Sequence, residues 1–311
     1  MVKIDLITGF LGAGKTTFIQ RYLQWLKRKD VKVAIIENEF GKAGIDCAIL
    51  KGQTDNISEL SGGCICCGLK VGFHDLLIKL SESGEYERII VEPSGIFNLD
   101  DFFDVTNSEN VKKYAQVGTV ATIVDPTSLI DVDQAVTDML YSQLHSTNLI
   151  LLSKISTSDN NKIKTLTESI DHIFWANSAK RTNKQKIVAQ PWENLNDCFF
   201  SEFVAYSGHS LPHKRRLYDH TNTYNSSTLH IKNQFSVPQL KEIINDAFNE
   251  QYGKVLRIKG YLTSQDNQTL LINCTKNRLC IEIAKERQQS AINIIGKNIN
   301  RSGLNTLFSN G

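Results

Sequence analysis

No run of this sequence approaches the roughly 18 apolar residues needed to cross a bilayer, so no membrane-spanning helix is expected. An excess of one charge is also missing. Lys and Arg number 35 against 33 Asp and Glu, a formal net charge of +2, and no broad pull toward nucleic acid follows. The basic cluster His213-Lys214-Arg215-Arg216 reads as solvated linker. No export leader is expected either, because Met1 leads straight into strand-like sequence. The expectation is a cytoplasmic protein whose seven cysteines are thiols, so that their grouping matters more than their parity. Internal repeats are not visible. With 311 residues, 41% of them hydrophobic, the chain can bury a sizeable core and reads as two domains.

The rest of the chain is organised around Leu6-Ile7-Thr8-Gly9-Phe10-Leu11-Gly12-Ala13-Gly14-Lys15-Thr16-Thr17. Gly9, Gly14, Lys15 and Thr16 fit G-x-x-x-x-G-K-[ST] between a short apolar strand and a segment with apolar residues at helical spacing. Glycines let backbone N–H groups turn inward around a phosphate chain, and the following helix points its positive end at the same anion. The expected nucleotide contacts are Gly9, Gly12, Ala13, Gly14, Lys15, Thr16 and Thr17. Lys15 would reach the β/γ-phosphates and the Thr16 hydroxyl would ligate Mg²⁺. The plainer alternative is a glycine-rich turn in some other α/β protein.

Further buried strands are expected at Val31–Glu37, Arg88–Glu92, Gly118–Asp125 and Asn148–Leu152, with a brief one at Ile57–Leu60 and a helix from Phe73 to Leu80. Near-continuous apolar strands alternating with helix-length segments predict an α/β fold, a P-loop NTPase with a mostly parallel sheet covered on both faces. This domain is assigned residues 1–206. Residues 207–227 turn polar and read as a linker. Residues 228–311 read as a small C-terminal α+β domain. It has a strand from Thr228 to Lys232 and a helix from Val237 to Gln251, capped by Ser236 with Pro238 in its first turn. Strands follow at Val255–Thr263, Gln268–Thr275, Arg278–Ala284 and Ser290–Gly296, then a short helix from Ser302.

Glu92 closes the third buried strand and precedes Pro93-Ser94-Gly95. An acid there can hold the Mg²⁺ shell, and Gly95 can offer its N–H to the γ-phosphate; capping of the next helix is the structural alternative. Cys64, Cys66 and Cys67 lie within four residues, flanked by Gly63 and Gly68. Thiolates prefer Zn²⁺, Cu(I) or iron to Mg²⁺, and tetrahedral Zn²⁺ would need one more ligand. Redox activity and simple burial remain the alternatives. Cys274 and Cys280 are expected to face each other across a short turn as small apolar side chains; Cys47 and Cys198 are given no role.

Together Thr8–Thr17, Glu37-Asn38-Glu39-Phe40-Gly41, Gly62-Gly63-Cys64-Ile65-Cys66-Cys67 and Glu92–Gly95 resemble the CobW-like GTPases, P-loop metallochaperones and metal insertases. The resemblance extends over the whole chain, since Ile294–Arg301 is similar to the last strand of the family's small C-terminal domain. It implies a transition metal, Zn²⁺ or Co²⁺, on Cys64, Cys66 and Cys67, with Glu37 as a further ligand. Glu39 would sit near Mg²⁺ or the attacking water, beside Lys15, Thr16 and Glu92 as catalytic groups. GTP is the implied nucleotide and an apo-metalloprotein the implied client; a homodimer is left open.

Two departures stand out. Where GTPases carry Asn-Lys-x-Asp, this chain reads Ser153-Lys154-Ile155-Ser156. Lys154 can still stack on the base, but neither it nor Asp159 restores the two-pronged acceptor, so weak discrimination against ATP is expected. Asn177-Ser178-Ala179-Lys180 resembles the loop whose backbone contacts the guanine oxygen. Lys42 replaces an acid that relatives often carry. His209, His213, His220 and His230 read as solvated linker rather than metal storage. Alternative functions are a metal-responsive, nucleotide-binding regulatory module with little turnover, and a small-molecule kinase with a structural zinc knuckle.

Overall fold

The computed structural model describes residues 1–37, 57–59, 70–95, 99–129, 134–156, 159–182, 185–206, 224–276, 279–284 and 287–310. Two compact units form; the described part of the first ends at Tyr206 and that of the second begins at Tyr224.

The first unit is a seven-stranded sheet. Its strands are β1 (Val2–Gly9), β2 (Val33–Glu37), β3 (Ile57–Glu59), β4 (Arg88–Glu92), β5 (Ala115–Val124), β6 (Leu149–Leu152) and β7 (Lys186–Val188). They lie in the order β3-β2-β4-β1-β5-β6-β7, and every neighbouring pair is parallel. Parallel neighbours need crossovers, supplied in part by α1 (Lys15–Arg28), α2 (Lys70–Glu82), α3 (Leu99–Thr106), the short α4 (Glu109–Lys112), α5 (Gln134–His145) and α6 (Asn160–Ala176); α7 (Asp197–Ala205) follows β7. Alternation along each strand divides the core. Ile36, Ile89 and Val91 join Phe73, Leu77, Phe102 and Phe103 on one face, while Ile35 and Ile90 join Phe18, Tyr22, Phe200 and Phe203 on the other. Both faces are therefore dry, as the continuous apolar strands predict.

The observed β2 and β4 end at Glu37 and Glu92, as expected from the sequence. Strand β5 starts three residues earlier than expected, and β7 was not anticipated. It has three residues, none of them fully buried, so no apolar run announces it.

The second unit is an antiparallel sheet in the order β12-β11-β10-β13-β8, with β9 pairing in parallel to β10. Its elements are β8 (Asn225–His230), β9 (Gln234–Phe235), α8 (Val237–Ala247), β10 (Lys254–Ser264), β11 (Thr269–Cys274), β12 (Ile281–Ile283), β13 (Ala291–Lys297) and α9 (Arg301–Asn310). Leu240, Ile243 and Ile244 of α8 and Leu304 and Phe308 of α9 cover Ile258, Leu262, Ile272, Ile292 and Ile294. Ser236 and Gln239 close a reciprocal capping box at the start of α8, with Pro238 in its first turn. The helix stops at Ala247 rather than Gln251. Residues 250–252 tighten into a 3₁₀ turn that Gly253, at φ 89°, ends.

Two boundaries differ from the sequence reading. Strand β8 begins at Asn225, inside the 207–227 stretch read as linker; among the described residues it pairs only with β13, and an edge strand tolerates a polar sequence. Cys274 and Cys280 do not face each other, because Ile272 pairs with Ile281 and the two thiols are one register step apart. The Cys274 sulfur lies 3.4 Å from the Cys280 carbonyl, and the Cys280 sulfur 3.1 Å from the Glu282 carboxylate. Cys274 is buried, and that burial raises its thiol pKa. No helix among the described residues is long and apolar enough to cross a membrane.

Candidate functional site

The site lies where β1 and β4 reach their C-terminal ends. Strand β1 finishes at Gly9, whose φ of 144° excludes most side chains; a Cβ there would sit 2.3 Å from the Ile123 carbonyl oxygen. The chain then turns through Gly12, Ala13 and Gly14 into α1. The helix grows from Phe18, Ile19, Tyr22, Leu23, Trp25 and Leu26, buried on one side, and ends with Lys27 and Arg28 at its negative terminus. Lys15 is buried within the loop, and its ammonium donates to the carbonyls of Gly9 (3.0 Å) and Phe10 (3.3 Å). The Thr16 hydroxyl donates to Glu92 Oε1 at 2.9 Å, across 76 residues. Both are hard oxygen donors, the set that Mg²⁺ takes. Thr17 is exposed in the first turn of α1.

Glu37 and Glu92 are register partners on adjacent parallel strands, and both are buried. Their side chains therefore leave the sheet on the same face, that of α1. Past Glu92 the chain bends back onto the glycine loop. A Cβ on Gly95 would lie 2.5 Å from the Leu11 nitrogen, so only glycine allows this approach. The buried Gln143 of α5 donates to the Gly95 carbonyl at 3.2 Å and secures the bend.

A second loop meets the same turn from β6. The Ser153 hydroxyl donates to the Ala13 carbonyl at 2.7 Å, and the Lys154 ammonium to the Gly12 carbonyl at 2.9 Å. Lys154 also pairs with the buried Asp125, which follows β5. In sequence Ser153 is only a departure from Asn. Its hydroxyl in fact ties the loop to Ala13, and no spacing signal marks a bond across 140 residues. Asp125 could have been noticed as an acid closing an apolar strand. Beyond Lys154, Asp159 Oδ2 accepts the Ser156 N–H at 2.9 Å, and that bond, ahead of Lys162, holds the carboxyl below its usual range.

Asn177–Lys180 does not belong to this cluster. The segment follows α6 and precedes β7, which puts it at the opposite edge of the parallel sheet. Its N–H groups terminate the helix: Ser178, at φ 53°, donates to the Trp175 carbonyl and Ala179 to that of Phe174, both at 2.9 Å. The loop that follows β7 at the site's edge contains Trp192, whose ring would lie 2.9 Å from a Cβ on Gly14.

Below the site, Asp5 is fully buried in β1. It accepts from Tyr22 (2.8 Å), Arg88 (2.6 Å) and the Thr119 N–H (2.8 Å). Burial, then Asp5, raises the Tyr22 phenol well above its ordinary value. Burial works against the Arg88 charge, but Asp5 outweighs it and raises that pKa. An acid inside an apolar strand was the signal available for this network.

Glu39, Lys42, Cys64, Cys66, Cys67, His209, His213 and His220 lie outside the described residues. His230 closes β8 opposite Ala291.

A family model described as CobW/HypB/UreG, nucleotide-binding domain, matches residues 3–179, and one described as Cobalamin synthesis protein cobW C-terminal domain matches residues 224–310. The chain is similar to zinc chaperone YeiR of Escherichia coli (strain K12), with 34% identity over 160 residues, 50% of this chain and 47% of YeiR. Zinc-regulated GTPase metalloprotein activator 1 of Dictyostelium discoideum is 29% identical over 212 residues, 55% of this chain and 44% of that protein. Zinc chaperone YjiA of E. coli is 25% identical over 270 residues, covering 84% and 81%. The chain thus spans about half the length of the first two relatives.

Proposed function

The chain belongs to the CobW/HypB/UreG family, and from that premise we propose that it is a GTP-hydrolysing metallochaperone of the cytoplasm. Its cargo is Zn²⁺, or Co²⁺, which it delivers to an apo-metalloprotein. Residues 1–206 form the GTPase domain, and a smaller domain begins by Asn225, where its first strand starts. The observation that carries the reading is the Thr16–Glu92 hydrogen bond, which joins the loop after β1 to the end of β4. Thr16 and Glu92 would hold Mg²⁺, which when bound neutralises phosphate charge. Lys15 exchanges the Gly9 and Phe10 carbonyls for the β- and γ-phosphate oxygens, and the N–H groups of Gly12 to Thr17 cradle the chain of phosphates. Gly95, whose added Cβ would meet Leu11, would offer its N–H to the terminal phosphate. Glu39 orients the attacking water.

Cys64, Cys66 and Cys67 supply soft thiolates for the cargo, with Glu37 as the fourth ligand. Glu37 supports this reading by its place beside Glu92: a metal ligand adjoining the nucleotide site responds to what that site holds. Phosphate release from GTP without any acceptor, lost in Lys15→Ala, tests the hydrolase. GDP formed only in the presence of a small-molecule acceptor, with the phosphoryl group on that acceptor and no free phosphate, would instead identify a kinase.

A further inference from the structure

We propose that Asp159 supplies the base-reading carboxylate that position 156 lacks, so that guanine is recognised through a residue displaced by three positions. The inference deepens the GTP reading of the same site, rests on it, and replaces the expectation from spacing alone that Asp159 cannot restore the acceptor. Ser153 and Lys154, three and two residues before Ser156, fix the start of their loop to Ala13 and Gly12. Asp159 Oδ2 accepts the Ser156 N–H at 2.9 Å, and the Ser156 carbonyl accepts the Asp159 N–H at 3.2 Å. These two bonds hold the carboxylate against the backbone of the residue that ought to have carried one. The Asp159 side chain is 29% exposed, so a ligand can reach it. The Ser156 N–H and Lys162, 3.6 Å away, keep it ionised and therefore an acceptor on both oxygens. Each oxygen has two lone pairs, so the bond to Ser156 leaves room for a base. The Lys154 side chain, 42% exposed, is open to a ligand as well.

The chemistry selects the ligand. Guanine presents its N1–H and its amino group side by side, two donors for two carboxylate oxygens. Adenine presents an unprotonated N1 on that edge and would set lone pair against lone pair. Xanthine keeps the N1–H but carries a carbonyl in place of the amino group, which matches an amide: one acceptor and one donor.

Competition binding of GTP, XTP and ATP to the full chain and to Asp159→Asn tests the proposal, with thermal melts to show that both are folded. The amide oxygen of Asn can keep the Ser156 bond, so the turn survives while the acceptor pair does not. The wild type should prefer GTP over both rivals. In Asp159→Asn, GTP affinity should fall about ten- to a hundred-fold, the loss expected for hydrogen bonds to a charged group, and XTP should overtake it. Ser156→Asp provides a test independent of that variant's folding: it should not raise the preference for GTP, because the place is already filled. A GTP preference that survives Asp159→Asn, or that rises tenfold or more in Ser156→Asp, overturns the role of Asp159 alone. A wild type that binds GTP no better than ATP and XTP overturns the guanine reading with it.

Discussion

Two loops meet at the candidate site, and they are built differently. From Gly9 to Thr16 the turn, the cation and the hydroxyl come from consecutive residues, with Glu92 as the distant partner. From Ser153 to Asp159 the loop depends on bonds to Ala13 and Gly12, 140 and 142 residues away, and on a turn that returns Asp159 to Ser156. Local geometry made by glycine dihedrals leaves a spacing pattern in sequence, because each residue type is required at its own position. A site assembled by tertiary contact leaves none, because another residue can take over the bond. Ser153 does so, holding Ala13 from a place where Asn was expected.

The same physics explains what else was legible. The bounds of β4 and the C-terminal end of β2 could be read because two dry faces demand unbroken apolar runs. Strand β7 could not, since three half-exposed residues at a sheet edge need no such run. The start of β8 reads as linker for a related reason: its backbone pairs with β13, while Ser226, Ser227 and Thr228 are only half-buried and form no apolar run. Asn177–Lys180 misled because a helix stop and a base-contacting loop use the same short polar residues; only the strand order separates them.

The largest expected effect comes from the network beneath both loops. Arg88→Leu leaves Asp5 buried and charged without its partner, and should cost about 3–5 kcal/mol in urea unfolding, lowering nucleotide binding at both loops together. Tyr22 adds a pH signature. Its raised pKa means that the folded state keeps the phenol neutral, so its contribution is complete below about pH 10, the ordinary tyrosine value, and is lost as pH rises through the higher folded value. Tyr22→Phe should remove that alkaline fall in stability from a pH series of melts.

Lys15→Ala acts on the first loop alone. It should slow phosphate release by about a hundred- to a thousand-fold, as for removal of one preorganised donor to a developing charge, while the relative affinities for GTP, ITP and ATP are unchanged. Gly9→Ala forces a Cβ into the Ile123 carbonyl and should cost on the order of 1–3 kcal/mol of stability, with the loss read in the urea midpoint. Ser153→Ala is the mildest change and belongs to the second loop. Losing one hydrogen bond of about 1 kcal/mol should weaken nucleotide binding severalfold without touching Mg²⁺ dependence. If it alters Mg²⁺ dependence as Thr16→Ala does, the two loops are not separable.

Metal affinity against a competing chelator, in the nucleotide-free, GTP–Mg²⁺ and GDP states, tests the central claim most directly. Glu37 and Glu92 are neighbours in register, so a cargo metal held by Glu37 and the thiolates of Cys64, Cys66 and Cys67 must respond to nucleotide, and nucleotide to metal by the same factor. The account predicts a difference of about 5- to 150-fold between the GTP and GDP states, the usual range of such coupling, with tight binding abolished by Cys66→Ser with Cys67→Ser and GTP binding retained. Equal affinities in all three states would mean that the metal is structural, and would contradict delivery.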